Sequence, residues 1–251
     1  MSKKTQNQLW TQLLICAFIL VIIFCMISTK SRIAIRNRIE DYKWDEVVNG
    51  ILYINLTNRP DRKEKIEKVL EKAEVPVNLI HRIDAVQNND CGHIGCAYSH
   101  VRALKYAKYK DWSRVLILED DFEFLQQNSI LFKTVTTLPE KFDVFMLASG
   151  YSETYPIEPT EFIHKVKWGT TTSGYMVQKH YYNILINCFE EAIKKMEEEL
   201  KEFKKFNPGK KMYETSFAID QAWFRLQQKD DFFITVPNIG TQANSPSSIM
   251  S

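Results

Sequence analysis

The spacing of apolar positions changes several times along the chain, and each change marks an element. Ile51-Leu52-Tyr53-Ile54-Asn55-Leu56 is a short run of β-formers closed by Asn58-Arg59-Pro60-Asp61, so it reads as a strand handing over to a helix. Ile66, Val69, Leu70 and Ala73 then recur at helical spacing, with Asp61 placed to cap the start. Val77 to His81 predicts a second strand and Ile94 to Lys108 a helix carrying Val101 and Leu104. Arg114 to Leu118 predicts a third strand, apolar enough to be covered on both faces, and Asp143 to Leu147 a fourth. Strands alternating with helices predict an α/β fold with a mostly parallel central sheet. Further on, strands are expected near Phe162 to Trp168, Ser173 to Val177 and Phe232 to Val236. A long amphipathic helix is expected over Lys179 to Phe206, with Ile184, Leu185, Cys188, Phe189, Ala192, Met196, Leu200 and Phe203 on its apolar face.

One apolar stretch follows neither period. Leu9 to Ser28 carries no charged residue and has about the 20 residues a helix needs to cross a bilayer. No small-x-small cleavage site follows it, so a retained anchor is the better reading than a signal peptide. The expected organisation is a tail over 1–8, a transmembrane anchor over 9–28, a charged stem over 29–49 and one domain over 50–251. Lys30, Arg32, Arg36 and Arg38 outnumber Lys3 and Lys4, which by the positive-inside rule opposes a lumenal domain.

The remaining composition excludes more than it selects. At 251 residues with 45% hydrophobic and 25% charged residues, the soluble part is globular. A formal charge of +2, with basic and acidic residues interleaved, gives no footprint for nucleic acid. Outside the anchor stand Cys91, Cys96 and Cys188, without C-x-x-C spacing for zinc or thiol redox chemistry. They read as small buried residues, with pairing of Cys91 and Cys96 left open. Asn55-Leu56-Thr57 is formally a glycosylation sequon, discounted because it ends a buried strand.

Candidate chemistry gathers at Glu119-Asp120-Asp121, directly after the third strand. The C-terminal ends of strands are where open α/β sheets bind ligands. If the strand continues, alternation puts Glu119 and Asp121 on one side and Asp120 on the other. Two carboxylates sharing one small volume call for a divalent cation, and oxygen-only ligands favour Mg²⁺ or Mn²⁺. A solvated acidic turn is the plain alternative. Asp220, near a helix start, is a candidate base or an N-cap.

Several blocks then occur together: Ile51 to Arg62 (ILYINLTNRPDR), Gly92 to Arg102 (GHIGCAYSHVR), Val115 to Phe122 (VLILEDDF), Thr170 to Val177 (TTTSGYMV), Ile219 to Leu226 (IDQAWFRL) and Pro237 to Ile249 (PNIGTQANSPSSI). In order and spacing they resemble the signature blocks of glycosyltransferase family 25, which includes lipopolysaccharide and procollagen galactosyltransferases. The resemblance implies a GT-A-like nucleotide-diphosphate-sugar transferase fold, manganese as metal and UDP-galactose as donor. The acceptor hydroxyl would lie on a glycan, a lipid-linked sugar or a collagen-like protein. It implies metal binding by Glu119 and Asp121, donor contacts from Asn55, Leu56, Arg59, Arg62, Asp120 and Gln242, and a site role for His100. The closing block reads Ser247-Ser248-Ile249 where the family has Ser-Asp-Ile, so a carboxylate role there is in doubt. The family's usual topology implies a single-pass protein with its domain in a secretory-pathway lumen or at an envelope membrane. A nucleotide-sugar-binding domain without turnover, or a nucleotidyltransferase or phosphohydrolase using the same acids, are the rival readings.

Overall fold

The computed structural model describes residues 43–243. The anchor over 9–28, the stem up to residue 42 and Ser247-Ser248-Ile249 lie outside the described residues. Among those described, no helix is long and apolar enough to cross a membrane.

The first described element is helix α1 (Trp44–Val47). Trp44, Val47 and Val48 are buried. The Trp44 indole donates to the Ala73 carbonyl at 3.0 Å and meets Phe132 edge-on at 5.2 Å. The compact unit therefore already includes Lys43 onward, and the expected boundary at Gly50 is too late. The sequence places Trp44 among charged residues, which hides its role as a core side chain.

Strands β1 (Gly50–Asn55), β2 (Ile80–Asp84) and β3 (Arg114–Glu119) are parallel neighbours with β1 in the middle. Helix α2 (Pro60–Lys72) connects β1 to β2, and helix α3 (Gly92–Tyr109) connects β2 to β3. Alternate residues of the strands serve opposite faces. Leu52, Ile54, Val115 and Ile117 join a core shared with α3 and with helix α5 (Tyr182–Phe206). On the opposite face the Tyr53 hydroxyl donates to Glu67 of α2 at 2.6 Å. With both faces covered, the interiors of β1 (Ile51 to Ile54) and β3 (Val115 to Leu118) carry no charged residue, as buried parallel strands require. The chain leaves β1 towards β2 through one face and returns to β3 through the other. That opens a crevice at the strands' C-terminal ends, the switch point of the sheet.

The full sheet has eight strands in the order β2-β1-β3-β8-β5-β9-β7-β6, with β5 (Val144–Met146), β6 (Gly150–Pro156), β7 (Ile163–Thr170), β8 (Gly174–Gln178) and β9 (Phe232–Thr235) completing it. Strands β7 and β8 run against the others, so the sheet is mixed with a predominant direction. A separate ribbon pairs β4 (Phe122–Phe124) with β10 (Gly240–Gln242).

The periodicity located most of these elements within a few residues, and the departures have local causes. The second strand starts at Ile80, because Val77–Leu79 is a 3-10 turn after Pro76. The helix after β1 is capped by Arg59 with Pro60 in its first turn, not by Asp61. Ile184 is exposed instead of joining the apolar face of α5. Helix α4 (Asn128–Thr137), strand β6 and the β4–β10 ribbon were not expected. The strands are either three residues long or mostly exposed, so neither shows a readable period.

Candidate active site

Strand β3 ends at Glu119, whose backbone N–H donates to the Ser173 carbonyl at 2.8 Å. Asp120 and Asp121 then form a turn before β4 begins at Phe122. The extended geometry on which side-chain alternation depends is lost there, so the expectation that Asp120 points away is corrected. Arg62 Nη1 lies 2.8 Å from Asp120 Oδ1 and 3.3 Å from Asp121 Oδ2, with all three side chains buried. Both aspartates thus meet one guanidinium, delivered from the first turns of α2.

Asn55 ends β1 at 1% exposure. Its Nδ2 donates to Asp120 Oδ2 at 2.8 Å and to the Arg59 carbonyl at 3.1 Å, while its Oδ1 accepts from Arg82 Nε at 3.2 Å. Its carboxamide is a structural clamp, inaccessible to glycosylation or donor contact. Leu56 lines the crevice, as does Arg59, whose guanidinium pairs with Asp61 at 2.7 Å. Gln242, carried in by β10, donates from Nε2 to Asp121 Oδ2 at 3.2 Å, and the Ala243 N–H donates to the Asp121 carbonyl at 2.7 Å.

Helix α3 supplies the opposite wall. Asn88 Oδ1 accepts the N–H groups of Asp90 and Cys91, fixing the approach to the helix. A Cβ at Gly95 would collide with the Val86 carbonyl, so glycine there lets α3 lie against the 86–88 loop. Ser99 secures the same contact, accepting the Val86 N–H at 2.8 Å. His100 is fully buried, with Nδ1 3.0 Å from the Tyr175 hydroxyl and Nε2 3.3 Å from Glu119 Oε1. Thr172 Oγ1 donates to the same Glu119 oxygen at 2.9 Å. Thr172 belongs to the turn between β7 and β8, where Thr171 takes a positive φ of 68°, a costly conformation for a β-branched residue. The Thr171 N–H donates to Asp220 Oδ2 at 3.2 Å. Asp220 is therefore neither an N-cap, that position being Ala218, nor one of the residues lining the cavity.

These elements enclose a cavity of about 420 Å³. Its walls include Leu56, Ala85 and Val86, the polar run Gln87 to Asp90, the acidic cluster, and Lys211-Met212-Tyr213. Burial pushes Asp121 up to about 6, reinforced by the Glu119 charge against the opposing pull of Gln242 and Arg62. Asp120 and Asp220 are also raised, chiefly by burial. Burial pushes Glu119 upward too, but its hydrogen bonds with His100 and Thr172, with help from the Arg62 charge, hold it below the usual range. Asp121 Oδ1 is buried and has no hydrogen-bond partner among the described residues.

The structure thus brings together Glu119, Asp120, Asp121, Arg59, Arg62, His100, Leu56 and Gln242, with Asn55 behind them and Asp220 behind the Thr170–Ser173 turn. It adds Cys96, Thr172 and Tyr175. The four-residue spacing of Cys96 and His100 on one helix was a visible signal. The contributions of Thr172 and Tyr175 depend on long-range pairing, which no local pattern reveals.

Fold and site together define an α/β protein with a carboxylate-rich ligand crevice at the switch point of its sheet. No family model matches the chain, and no curated protein matches it in sequence. Among solved structures it is similar to mannose-1-phosphate geranyltransferase from Thermus thermophilus, at 10% identity and TM-score 0.44, over 74% of this chain and 72% of that one. It is also similar to a glycosyltransferase involved in the glycosylation of the major capsid of PBCV-1, at 12% identity and TM-score 0.40, over 78% of this chain and 94% of that one. A third is 4-diphosphocytidyl-2C-methyl-D-erythritol synthase from Anaerococcus prevotii, at 12% identity and TM-score 0.36, over 81% of this chain and 74% of that one.

Proposed function

We propose that this protein is a metal-dependent glycosyltransferase of the GT-A kind. It moves a hexose, galactose from UDP-galactose, to an acceptor hydroxyl on a glycan, glycolipid or collagen-like protein. The observation that carries the reading is Asp121 Oδ1, a buried carboxylate oxygen without a hydrogen-bond partner among the described residues, beside two further carboxylates. Such an atom is costly unless a cation completes it. The oxygens of Glu119 and Asp121 fit Mn²⁺ or Mg²⁺, which when bound supplies Lewis-acid stabilisation of a departing diphosphate.

The chain's own residues do the rest. Arg62 fixes Asp120 and Asp121, and the first turn of α2 adds the positive end of a 13-residue helix. Arg59, at that same helix start, is placed for a donor phosphate. Leu56, Ala85 and Val86 give an apolar wall for the nucleoside. His100 and Thr172 orient Glu119, and Asp220 acts as a positioning residue by holding the strained turn that presents Thr172. The block resemblance to family 25 supports the choice of UDP-galactose, and the uncharged segment over 9–28 supports placement at a membrane, with the domain lumenal or at an envelope.

The full chain, incubated with UDP-galactose, UDP-glucose and Mn²⁺, should release UDP, faster when an acceptor is present. Tight UDP binding with no metal-dependent release from any donor would instead favour a binding domain without turnover.

A further inference from the structure

Cys96, His100 and Glu119 each offer a ligand atom, and these atoms lie within 4.8 Å of one another. Cys96 and His100 stand one helical turn apart on α3 and therefore share a face. Glu119 comes to them from the end of β3. All three line the cavity, so an ion has a route in.

The spacing suits a small tetrahedral ion. Zinc bonds of about 2.0 to 2.3 Å place neighbouring ligand atoms roughly 3.5 Å apart. His100 Nε2 and Glu119 Oε1 already lie 3.3 Å apart, so the chief adjustment falls on the Cys96 thiol. The supporting contacts of a metal centre are also present. The second nitrogen of His100 is held by the Tyr175 hydroxyl at 3.0 Å, and Glu119 accepts from Thr172 at 2.9 Å. Such outer partners fix ring orientation and ligand basicity. Burial, followed by the charges of Glu119, Asp220 and Asp121, pushes the Cys96 thiol well above its usual range, so it is the bound cation that draws off the proton.

The geometry points to a second cation site, Cys96-His100-Glu119, selective for a borderline-soft divalent ion such as zinc over manganese. Thiolate and imidazole favour zinc, whereas the Glu119-Asp121 oxygen pair favours hard ions. On binding, the thiol gives up its proton to solvent and the sulfur lone pair forms the bond to the metal, with no change of oxidation state. Glu119 belongs to both sets, so zinc at this site withdraws a ligand from the oxygen site. Binding rests on this geometry alone, and only its inhibitory effect on transfer rests on the proposed function.

Cobalt(II), a spectroscopic substitute for zinc, tests the site in the full chain under reducing conditions, with zinc affinity measured by competition. A thiolate-to-cobalt charge-transfer band is expected, lost in both Cys96→Ser and Cys96→Ala but kept in Asp121→Asn. Zinc affinity should fall by at least about tenfold in the cysteine variants, since even outer-partner losses cost about 10–100-fold. Tyr175→Phe should weaken zinc while keeping the band. A cobalt spectrum without a thiolate band, or zinc affinity unchanged by either cysteine variant and lost in Asp121→Asn, overturns the proposal. Absence of transferase activity with an intact cobalt band would sink the proposed function and leave this site standing.

Discussion

Asp121 is held in a state that costs stability. Its pKa rises to about 6 because burial and Glu119 disfavour the charge. A carboxyl whose pKa is higher folded than unfolded binds more protons in the folded state, so stability falls as pH rises from about 4 through about 6. Asp121→Asn should therefore raise metal-free stability at pH 7 by about 1–2 kcal/mol in urea unfolding, while removing Mn²⁺-dependent UDP binding. No stability gain at pH 7, or a gain larger at pH 4, would contradict the sign. Arg62 presents the converse. Arg62→Leu leaves two buried carboxylates uncompensated and should cost about 3–5 kcal/mol. Adding Asp120→Asn should recover part of that loss in the same assay. At this scale the sequence located the acidic cluster but not where its side chains point, because the strand's last residue decides that and a boundary is the least legible part of a pattern. The sequence showed Cys96 and His100 one turn apart on α3 but not Glu119 beside them, because β3 is brought there by long-range pairing.

At the scale of elements, two segments position side chains of the proposed site. Helix α3 lies against the 86–88 loop only because Gly95 has no side chain there. Gly95→Val should force the helix outward, costing about 1–3 kcal/mol in thermal unfolding. It should also weaken cobalt and UDP binding together, since His100 and the cavity wall move as one. The turn between β7 and β8 is the other. Asp220→Ala frees the Thr171 N–H and loosens Thr172 from Glu119, so turnover should fall roughly 10²-fold, with UDP affinity nearly kept. Equal loss of binding would place Asp220 in donor recognition instead. The alternation of buried strands and amphipathic helices made β1, α2, α3, β3 and α5 legible from sequence. Strand β6, which is mostly exposed, and the three-residue β4 and β10 offered no period to read.

For the whole molecule, the N-terminal lead-in is part of the core. Trp44 is 3% exposed between Ala73, Phe124 and Phe132. Trp44→Ala should cost about 3–5 kcal/mol, and a chain beginning at Gly50 should unfold at lower urea than one beginning at Lys43. Equal midpoints would return that segment to the role of a tether. The sequence could not place it, because a lone tryptophan among charged residues carries no periodic signal.

The Asp121–Gln242 contact joins residues 121 positions apart. During synthesis β1 to β3 emerge well before β10 and can fold from near neighbours. Over the interval between them the nascent chain carries its acidic turn without the ribbon partner that completes it. A ribosome stalled before Gly240 would hold a half-built, anionic crevice, open to whichever cation the compartment offers first.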